Sequence, residues 1–284
     1  MKITNEQRAE ILVHALPYIQ EYNGKVVVIK YGGNAMIEEN LKSSVMQDIV
    51  LLQLIGVKVV LVHGGGPEIN QAYKVYGKET IKVDGLRYTD QEGASIVQMI
   101  LAGKVNKDLV KLIGVRGGKA IGLSGLDAKM IKCSFKDKDK YGYVGQIDEI
   151  NPQVIYDALD NGYIPVISTV GVDDDGNSYN INADTAAAQI AGAIDAEAFI
   201  AMTDTKGLLK DKDDESTLIN QINVSELSSL AKNGIIDGGM IPKVECCVEA
   251  IRRGVPKVFI IDGRVPHSIL IELMTDEGIG TMFK

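Results

Sequence analysis

Short, almost uninterrupted apolar runs alternate with amphipathic stretches along most of the chain. The apolar runs occupy residues 25–30, 58–63, 119–124, 163–169, 198–203 and 257–262. Runs this short, and apolar on both faces, are typical of parallel strands that are covered on both sides. The stretches of helical length between them are 38–55, 67–76, 89–113, 151–161, 183–193, 224–233 and 243–253. This alternation predicts an α/β fold with a parallel sheet and right-handed crossovers.

Residues 129–147 break the alternation. Two segments with strand character flank the polar tip at 136–140, so this stretch predicts a β-hairpin. No composition change or low-complexity linker marks a domain boundary. A change of domain near 194–197 is the expectation, with three parts at 1–23, 24–195 and 196–284.

A helix is predicted before the first strand. The spacing of Thr4 and Gln7 fits a capping box, and an amphipathic pattern continues to Tyr22. Pro17 falls inside this pattern and removes a backbone donor, so the helix should kink there. Because the helix precedes the sheet, we expect an appendage rather than a core element.

Composition narrows the class of protein. The chain has 284 residues, 45% of them hydrophobic and 24% charged, and a net charge of −8. These values exclude a fully disordered chain, and the acidic balance disfavours a protein that coats nucleic acid. No apolar window of about 18 residues predicts a membrane span. The N-terminus lacks a signal-peptide core, and the 3 cysteines lack zinc-ligand spacing. We therefore expect a cytoplasmic protein with reduced thiols.

Two glycine-rich sites directly follow predicted strands. Lys30 ends the first strand before Gly32 and Gly33, and Gly64, Gly65 and Gly66 follow His63. Backbone N–H groups in such turns can approach an anion, and a helix N-terminus after the second turn favours negative charge. The alternative is a plain strand-to-helix turn. His63 itself is read as a strand-end residue that the backbone satisfies.

Two further sites precede predicted helices. Asn180 and Asn182 alternate on an extended segment before Asp184. Either Asn182 or Asp184 could cap the following helix, or Asn180 could bind a ligand while Asp184 holds lysines. In the fourth site, the glycines after Asp237 precede a helix with Lys243 in its first turn, where the dipole disfavours a cation unless an anion is present.

Several catalytic motifs do not occur. The sequence has no P-loop, no dinucleotide-binding G-x-G-x-x-G and no G-x-S-x-G elbow. The acidic stretches at 172–177 and 210–216 lack EF-hand spacing, and the 3 histidines are too scattered for a metal site. Glycine-rich anion sites with lysines, and no evident base or nucleophile, fit phosphoryl transfer, in which positioning and charge carry most of the catalysis.

Five motifs, in order along the chain, resemble those of the amino acid kinase family. They begin at Lys30, Val62, Asp84, Tyr179 and Gly238. Within the family, the pattern resembles the branch that phosphorylates N-acetyl-L-glutamate in arginine synthesis. The resemblance implies a three-layer αβα sandwich with a mainly parallel open sheet. It also implies an acyl-amino-acid lobe, followed by a lobe that binds ATP with its Mg²⁺.

The same resemblance implies a role for each matched residue. Lys30 and Lys243 would stabilise the transferring phosphoryl group, and Asp184 would orient both lysines. The substrate-binding set is Gly65, Gly66, Arg87 and Asn180, with Arg87 on the α-carboxylate. Gly65, like Gly32 and Gly33, would also donate its amide to the phosphoryl group. The set around ATP and its phosphates is Gly32, Gly33, Thr203, Asp204, Lys206, Gly207, Gly238 and Met240. No protein metal site is implied.

The two ends of the chain resemble the arginine-inhibited form of the family. That form assembles as a hexamer, a trimer of dimers, through an N-terminal kinked helix. The residues implied for the arginine site are Tyr18, His267, Glu277 and Gly280. Docking of a PII-type regulatory protein stays open at this point, and so does the choice between dimer and hexamer.

Rival functions are a sister kinase and a non-catalytic arginine sensor. An N-acetyl-aminoadipate kinase differs from the expected enzyme by one methylene of substrate, which is worth only about 1–3 kcal/mol of discrimination. A kinase for carbamate is a further relative. A sensor that had lost catalysis would be expected to lack at least one of Lys30, Asp184 and Lys243, and all three are present.

Overall fold

The sequence folds as a layered α/β protein around one large sheet. The computed structural model describes residues 4–36, 38–232, 234–236 and 238–284, with residues 34 and 35 described by their backbone alone. Asp237 of the fourth glycine motif and the first three residues of the predicted N-terminal part lie outside these ranges.

Twelve α-helices are found within the described residues. They are α1 Asn5–His14, α2 Leu16–Tyr22, α3 Glu39–Leu54, α4 Gly66–Val75, α5 Gln91–Gln98, α6 Asn106–Val115, α7 Lys138–Tyr141, α8 Gln153–Asp160, α9 Ala183–Ala193, α10 Leu227–Lys232, α11 Ile241–Arg252 and α12 Ser268–Met274.

The strands form three sheets. They are β1 Val26–Tyr31, β2 Lys58–His63, β3 Lys82–Val83, β4 Leu86–Arg87, β5 Ala120–Ser124, β6 Ile131–Phe135, β7 Gly145–Ile150, β8 Ile164–Ser168, β9 Val170–Val172, β10 Ser178–Asn180, β11 Ala198–Thr203, β12 Gln221–Ile222, β13 Lys257–Asp262 and β14 Thr281–Phe283.

The main sheet has eight strands in the order β12-β14-β13-β11-β1-β2-β8-β5. All of its pairs are parallel except β13 with β14. Each of the six apolar runs in the sequence forms one of its strands, which confirms the predicted parallel sheet. Strand β1 lies near the middle of this sheet, between β2 and β11.

Alternate strand residues enter separate apolar layers. Val28 faces a layer built with α8, α9 and α11, whereas Ile29 faces a layer built with α3, α6 and α12. Both side chains are fully buried. Burial on both faces is the reason why these strands read as unbroken apolar runs. The αβα sandwich is therefore confirmed.

A smaller sheet, in the order β10-β9-β6-β7, stands beside the main one. Strands β6 and β7 are antiparallel, as the hairpin prediction requires, and the polar tip between them forms the short helix α7. A third, two-stranded sheet joins β3 to β4. Neither β3–β4 nor β9–β10 has an apolar run long enough to predict it as a sheet.

The N-terminal helix is capped and broken as predicted. Thr4 and Gln7 form a reciprocal capping box at the start of α1. The helix is interrupted at Ala15, so α2 begins just before Pro17. In this single chain, Leu12 is 72% exposed and no residue of α1 is buried, whereas Tyr22 at the end of α2 packs in the core.

The predicted helix over 89–113 is found at 91–115, and it is less regular than the sequence suggests. Helices α5 and α6 are joined by a π-helical segment, Met99–Val105. A π turn accommodates an extra residue and changes which side chains face inward after it. In the described ranges, no helix combines the length and the apolar character needed to cross a bilayer.

Candidate active site

Lys30 and Asp184 meet at the carboxyl end of the main sheet. Lys30 is the penultimate residue of β1, and Asp184 lies in the first turn of α9. Lys30 Nζ is 2.9 Å from Asp184 Oδ1, and the two side chains are only 12% and 23% exposed. Asn182 caps α9 through a 3.0 Å hydrogen bond from Thr185 N. Of the two predicted capping residues, Asn182 thus caps the helix, and Asp184 is free to hold the lysine.

Two glycine turns form one wall of a cleft around this ion pair. Gly32 and Gly33 follow β1, and residues 64–66 follow β2. A Cβ on Gly33, where φ is +70°, would come within 2.7 Å of Asp204 Oδ1. A Cβ on Gly65 would come within 2.6 Å of Leu101. The glycines are thus required by the packing, and they leave backbone within reach of a bound anion.

Arg87, on β4, also lines the cleft, next to the second glycine turn. Its Nη2 donates to Gly66 O at 3.2 Å, and its Nη1 donates to Thr80 Oγ1 at 3.2 Å. The guanidinium also lies over the ring of Tyr73, 5.2 Å from the centroid. Burial lowers the pKa of Arg87, although a guanidinium stays charged at neutral pH. The fold therefore holds a cation in a fixed orientation.

Asn180 completes the cleft from β10. Its backbone N–H donates to Tyr143 O at 2.9 Å, and its side-chain amide donates to Thr89 Oγ1 at 3.2 Å. The cleft has a volume of about 330 Å³. Its lining includes the predicted residues Lys30, Gly32, Gly33, Gly65, Gly66, Arg87, Asn180 and Asp184. Its small size and the two cations in its lining, Lys30 and Arg87, suit a compact dianion.

Lys243 lies in the first turn of α11, as the sequence predicts. Its pKa is lowered, chiefly by burial and then by the charge of Lys30, while Asp184 and Asp204 act in the opposite direction. A buried lysine whose proton affinity is lowered by a neighbouring ammonium gains from an anion placed beside both charges. The electrostatics thus favour a phosphoryl group at this point.

Apart from Gly32 and Gly33, the residues predicted around ATP are not among those that line this cleft. Thr203, at the end of β11, is 4% exposed, and its hydroxyl contacts Thr205 and Ile261 O. Lys206 Nζ pairs with Glu215 Oε2 at 2.5 Å. Gly207 packs on Thr281, which a Cβ would approach within 2.5 Å. Asp204, by contrast, touches the glycine turn after β1.

Gly238 and Met240 form a short 3₁₀ turn directly before α11. Gly238 is exposed with φ +45°, and Met240 is half-buried. Their place ahead of Lys243 follows from the sequence. The structure gives them no contact with the cleft described above.

The four predicted effector residues surround α12 and the loop after it. Tyr18 Oη hydrogen-bonds Asp276, the neighbour of Glu277. His267 Nδ1 lies 2.6 Å from Asp48 Oδ1. Glu277 borders a second cleft, and Gly280 N donates to Glu272 Oε2 at 2.9 Å. The N-terminal helix and the C-terminal loop are thus in contact.

Sequence reasoning missed the residues that support this cleft. Tyr73 and Thr80 position Arg87, and Asn106 contacts the buried His63. Asn106 falls beside the apolar stripe that Val105 and Leu109 continue. A polar side chain next to such a stripe is a usable signal, because buried amides are retained where they bond.

Comparisons with known proteins agree with this geometry. A sequence model described as "Amino acid kinase family" matches residues 25–262. Acetylglutamate kinase from Brachyspira hyodysenteriae is 56% identical over 282 residues, which cover 99% of this chain and 98% of the relative. Acetylglutamate kinase from Clostridium kluyveri is 53% identical over 275 residues, covering 96% and 97%.

A solved structure extends the likeness to the fold. N-acetylglutamate synthase from Neisseria gonorrhoeae, complexed with coenzyme A and N-acetyl-glutamate, superposes with a TM-score of 0.83 at 25% identity. The match covers 97% of this chain and 63% of the synthase chain. With a family match across most of its length and relatives above half identity, the chain belongs to the amino acid kinase family.

Proposed function

We propose that the chain transfers the γ-phosphoryl group of ATP to the γ-carboxylate of N-acetyl-L-glutamate, giving N-acetyl-L-glutamyl 5-phosphate and ADP in arginine synthesis. The single observation that carries this proposal is the position of Arg87 in the cleft that also holds Lys30 and Asp184. Two cations, Lys30 and Arg87, that line one cleft of about 330 Å³ fit a small molecule with two carboxylates. The named relatives add the identity of that molecule.

The reaction requires little proton transfer. A carboxylate is already ionised at neutral pH, so its oxygen attacks the γ-phosphorus directly while the bond to the ADP oxygen breaks. Lys30 and Lys243 would neutralise the charge on the transferring group from two sides. Asp184 would hold Lys30 in place through its 2.9 Å ion pair. Catalysis then rests on preorganised charge rather than on a base.

The acyl substrate would lie with its α-carboxylate at Arg87. The guanidinium fork suits bidentate binding of a carboxylate, and its contacts with Gly66 O and Tyr73 fix its plane. Asn180 would bind the other side of the same substrate. Gly65 and Gly66 would contact it through the backbone, which leaves the γ-carboxylate near Lys30.

The nucleotide would extend from the lysines towards the end of β11. Gly32 and Gly33 would donate amides to its phosphates, and the set around Asp204 described above would surround the rest. A kinase of this family uses ATP with a divalent cation. Among the described residues, no group of three or more His, Cys, Asp or Glu side chains is placed to hold a metal. We therefore propose Mg²⁺ bound to the phosphates, retaining much of its water.

On this proposal the chain divides as the sequence predicts. Residues 24–195 would bind the acyl amino acid, 196–284 would bind ATP, and 1–23 would serve assembly. The main sheet continues from one part into the other through β1 and β11. A cytoplasmic location remains our proposal for the protein as a whole.

Arginine inhibition and a hexamer are proposed from the two ends of the chain. The contact between Tyr18 and Asp276 supports an effector site there, because binding beside it would move the N-terminal helix. The 72% exposure of Leu12 supports a helix that covers its apolar side against another copy. A dimer without arginine control is the alternative. Binding of a PII-type partner would be tested by a direct binding measurement.

The test is a two-part assay with Mg-ATP and N-acetyl-L-glutamate. ADP release would be coupled to NADH oxidation, and the acyl phosphate would be trapped with hydroxylamine as a hydroxamate. Equal amounts of ADP and hydroxamate are expected, with lower rates in millimolar arginine. Faster turnover of N-acetyl-L-aminoadipate would assign the sister activity. Arginine binding without any turnover would favour the sensor.

A further inference from the structure

The glycine turn after β2 begins at a buried histidine. His63 closes β2, and its side chain is fully shielded from solvent. Its Nδ1 lies 2.8 Å from Gly64 O, and its Nε2 lies 3.1 Å from Nδ2 of Asn106. A carbonyl oxygen only accepts hydrogen bonds, so Nδ1 carries the proton. Nε2 then accepts from the Asn106 amide, and this fixes the tautomer.

Asn106 is equally buried, and its amide has one possible orientation. Its Nδ2 has two hydrogens and three acceptors within reach, because Val166 O at 2.8 Å and Leu123 O at 3.2 Å lie beside His63 Nε2, so one hydrogen is shared. The reversed amide would place an oxygen against these two carbonyls. Its Oδ1 accepts from Lys107 Nζ at 3.1 Å, and the same ammonium donates to Gly122 O at 3.0 Å.

The π segment explains why Asn106 reaches the sheet. Asn106 directly follows the π segment Met99–Val105. The wider turn of this segment determines which side of α6 faces the sheet. The same segment supports the glycine turn, because a Cβ on Gly65 would come 2.6 Å from Leu101 and 3.3 Å from Val105. The π segment therefore packs beneath the glycine turn, and α6, which continues from it, carries the buried amide of Asn106. Such π segments are frequent at functional sites.

These contacts determine where the Gly65 N–H points. Gly64 N donates to Tyr31 O at 3.2 Å, and Gly65 O accepts from Ile69 N at 2.9 Å. In a trans peptide the N–H of one residue is opposite the preceding carbonyl. With Gly64 O held at His63, the Gly65 N–H points the other way. No backbone acceptor in the described part of the chain takes that N–H.

We propose that Lys107, Asn106 and His63 form a positioning relay that orients the Gly64–Gly65 peptide so that the Gly65 N–H faces the transferring phosphoryl group. The relay rests on the phosphoryl transfer proposed above. All donors in it point towards Gly64 O, so each strengthens the next. An amide oriented before the reaction stabilises developing charge without reorganisation.

The relay needs a neutral imidazole, and the surroundings favour one. Burial lowers the pKa of His63 to about 4, and the nearby Lys107 charge acts in the same direction. The hydrogen bond to Gly64 O opposes this shift without reversing it. At neutral pH the ring is therefore uncharged, and its single proton belongs to Nδ1.

Matched variants separate the relay from ordinary packing. His63→Asn can keep a donor at the Nδ1 position, whereas His63→Gln places its amide at the Nε2 position and loses that donor. We expect His63→Gln and Asn106→Leu to lower kcat about 10- to 100-fold. KM for both substrates should change by less than about 3-fold, since ground-state contacts remain. The kcat of His63→Asn should be about 10-fold higher than that of His63→Gln.

Lys107→Met should show a smaller loss of kcat, and Lys111→Met is its control. Lys111 lies one turn further along α6 and pairs with Asp108 at 2.8 Å, away from the relay. Rates would be expressed per mole of folded enzyme, with the folded fraction measured by near-ultraviolet circular dichroism. Wild-type kcat in His63→Gln would overturn the proposal, and so would an equal loss in His63→Asn and His63→Gln.

A second measurement does not depend on activity. The chain has 3 histidines, so ¹⁵N-histidine labelling of the wild-type protein gives an assignable spectrum. We expect the signals of one ring to show a neutral imidazole, with its proton on Nδ1, from about pH 5 to about pH 8. Those signals should be absent from the spectrum of His63→Gln. Titration of His63 near its ordinary pKa, or a proton on Nε2, would overturn the relay. If the wild type shows no turnover, the proposed function is contradicted. The histidine spectrum then still tests the orientation of the His63 ring.

Discussion

Lys30 Nζ and Asp184 Oδ1 lie 2.9 Å apart although β1 and α9 are distant in the sequence. Both side chains keep some contact with solvent, at 12% and 23% exposure. A largely buried pair of this kind contributes little net stability, because the cost of desolvating both charges offsets their attraction. Its value lies in holding one ammonium at a defined point of the cleft. The first prediction follows from this distinction.

Asp184→Asn should lower kcat about 10²- to 10³-fold, because Lys30 would lose the partner that fixes it. The urea midpoint should change little, as the amide has nearly the same shape. Asp160→Asn is the control, since it removes a comparable strand-to-helix pair with Lys58 at 3.2 Å. Steady-state kinetics and urea unfolding check both variants. A large drop in midpoint without a loss of kcat would contradict the assignment.

Lys243→Ala should lower turnover by about 10²-fold or more, with little change in stability. The ammonium is partly buried beside Lys30, and removing it also removes repulsion. Arg252→Ala, at the other end of α11, should keep wild-type kcat. Near-normal turnover in Lys243→Ala would exclude this lysine from catalysis. Thermal unfolding measured in parallel would show whether the fold is intact.

Arg87→Lys should raise KM for N-acetyl-L-glutamate about 10- to 100-fold, with a smaller effect on kcat. Lysine lacks the planar fork that contacts Gly66 O and Thr80, and it stacks less well on Tyr73. KM for ATP should stay near the wild-type value. Arg116→Lys, whose guanidinium contacts Ser43 and Leu112 O, is the control. Equal effects on both substrates would argue for a general defect.

Asp48→Asn should change how stability depends on pH. Burial raises the pKa of Asp48 to about 6, while the His267 ring lowers it in part. A carboxyl whose pKa rises on folding contributes stability that is present below its unfolded pKa, near 3.8, and lost as the pH rises through about 6. The wild type should therefore lose about 3 kcal/mol relative to Asp48→Asn between about pH 4 and about pH 7.

Urea unfolding of both proteins across that range checks the Asp48 prediction. The difference in free energy of unfolding should grow with pH and then level off. His267→Gln supplies a second comparison, because it removes the ring whose hydrogen bond and charge lower the pKa of Asp48. A constant difference between wild type and Asp48→Asn would show that this carboxyl does not titrate in the window.

Leu12→Glu combined with Leu16→Glu should reduce the size of the assembly. The two side chains are 72% and 48% exposed, so charging them costs the single chain little. Sedimentation velocity should show smaller particles at equal protein concentration, with weaker inhibition by arginine. Glu10→Gln, on the same helix, is the control. An unchanged sedimentation profile would remove the N-terminal helix from the proposed interface.

The sequence predicts the main sheet well because its strands are buried on both faces. Residues 59–62, for example, are an unbroken apolar run between Lys58 and His63, and β2 has the bounds Lys58–His63. The short β14 could not be predicted, since its three residues become a strand only through pairing with β12 and β13. The π segment leaves no periodic signal either, because an apolar helix reads alike with or without one wide turn.

Some residues of the candidate site could be predicted from the sequence, and others could not. Glycines, lysines and Asp184 come from local motifs, and the structure brings most of them to one cleft. Tyr73 and Asn106 have no such motif, because their importance arises from contacts with residues distant in the chain. Side chains that support a site are specified by tertiary packing and not by neighbours in sequence.

The pairing of β1 with β11 has a consequence for how the protein folds. Val27 lies opposite Ala198, so the middle of the sheet closes only after most of the chain has been made. Contacts between such distant segments slow folding, because a large loop must be ordered before they form. Residues 24–195, synthesised alone, would expose the apolar edge of β1 where β11 belongs. That incomplete sheet is the species on which we expect chaperones to act.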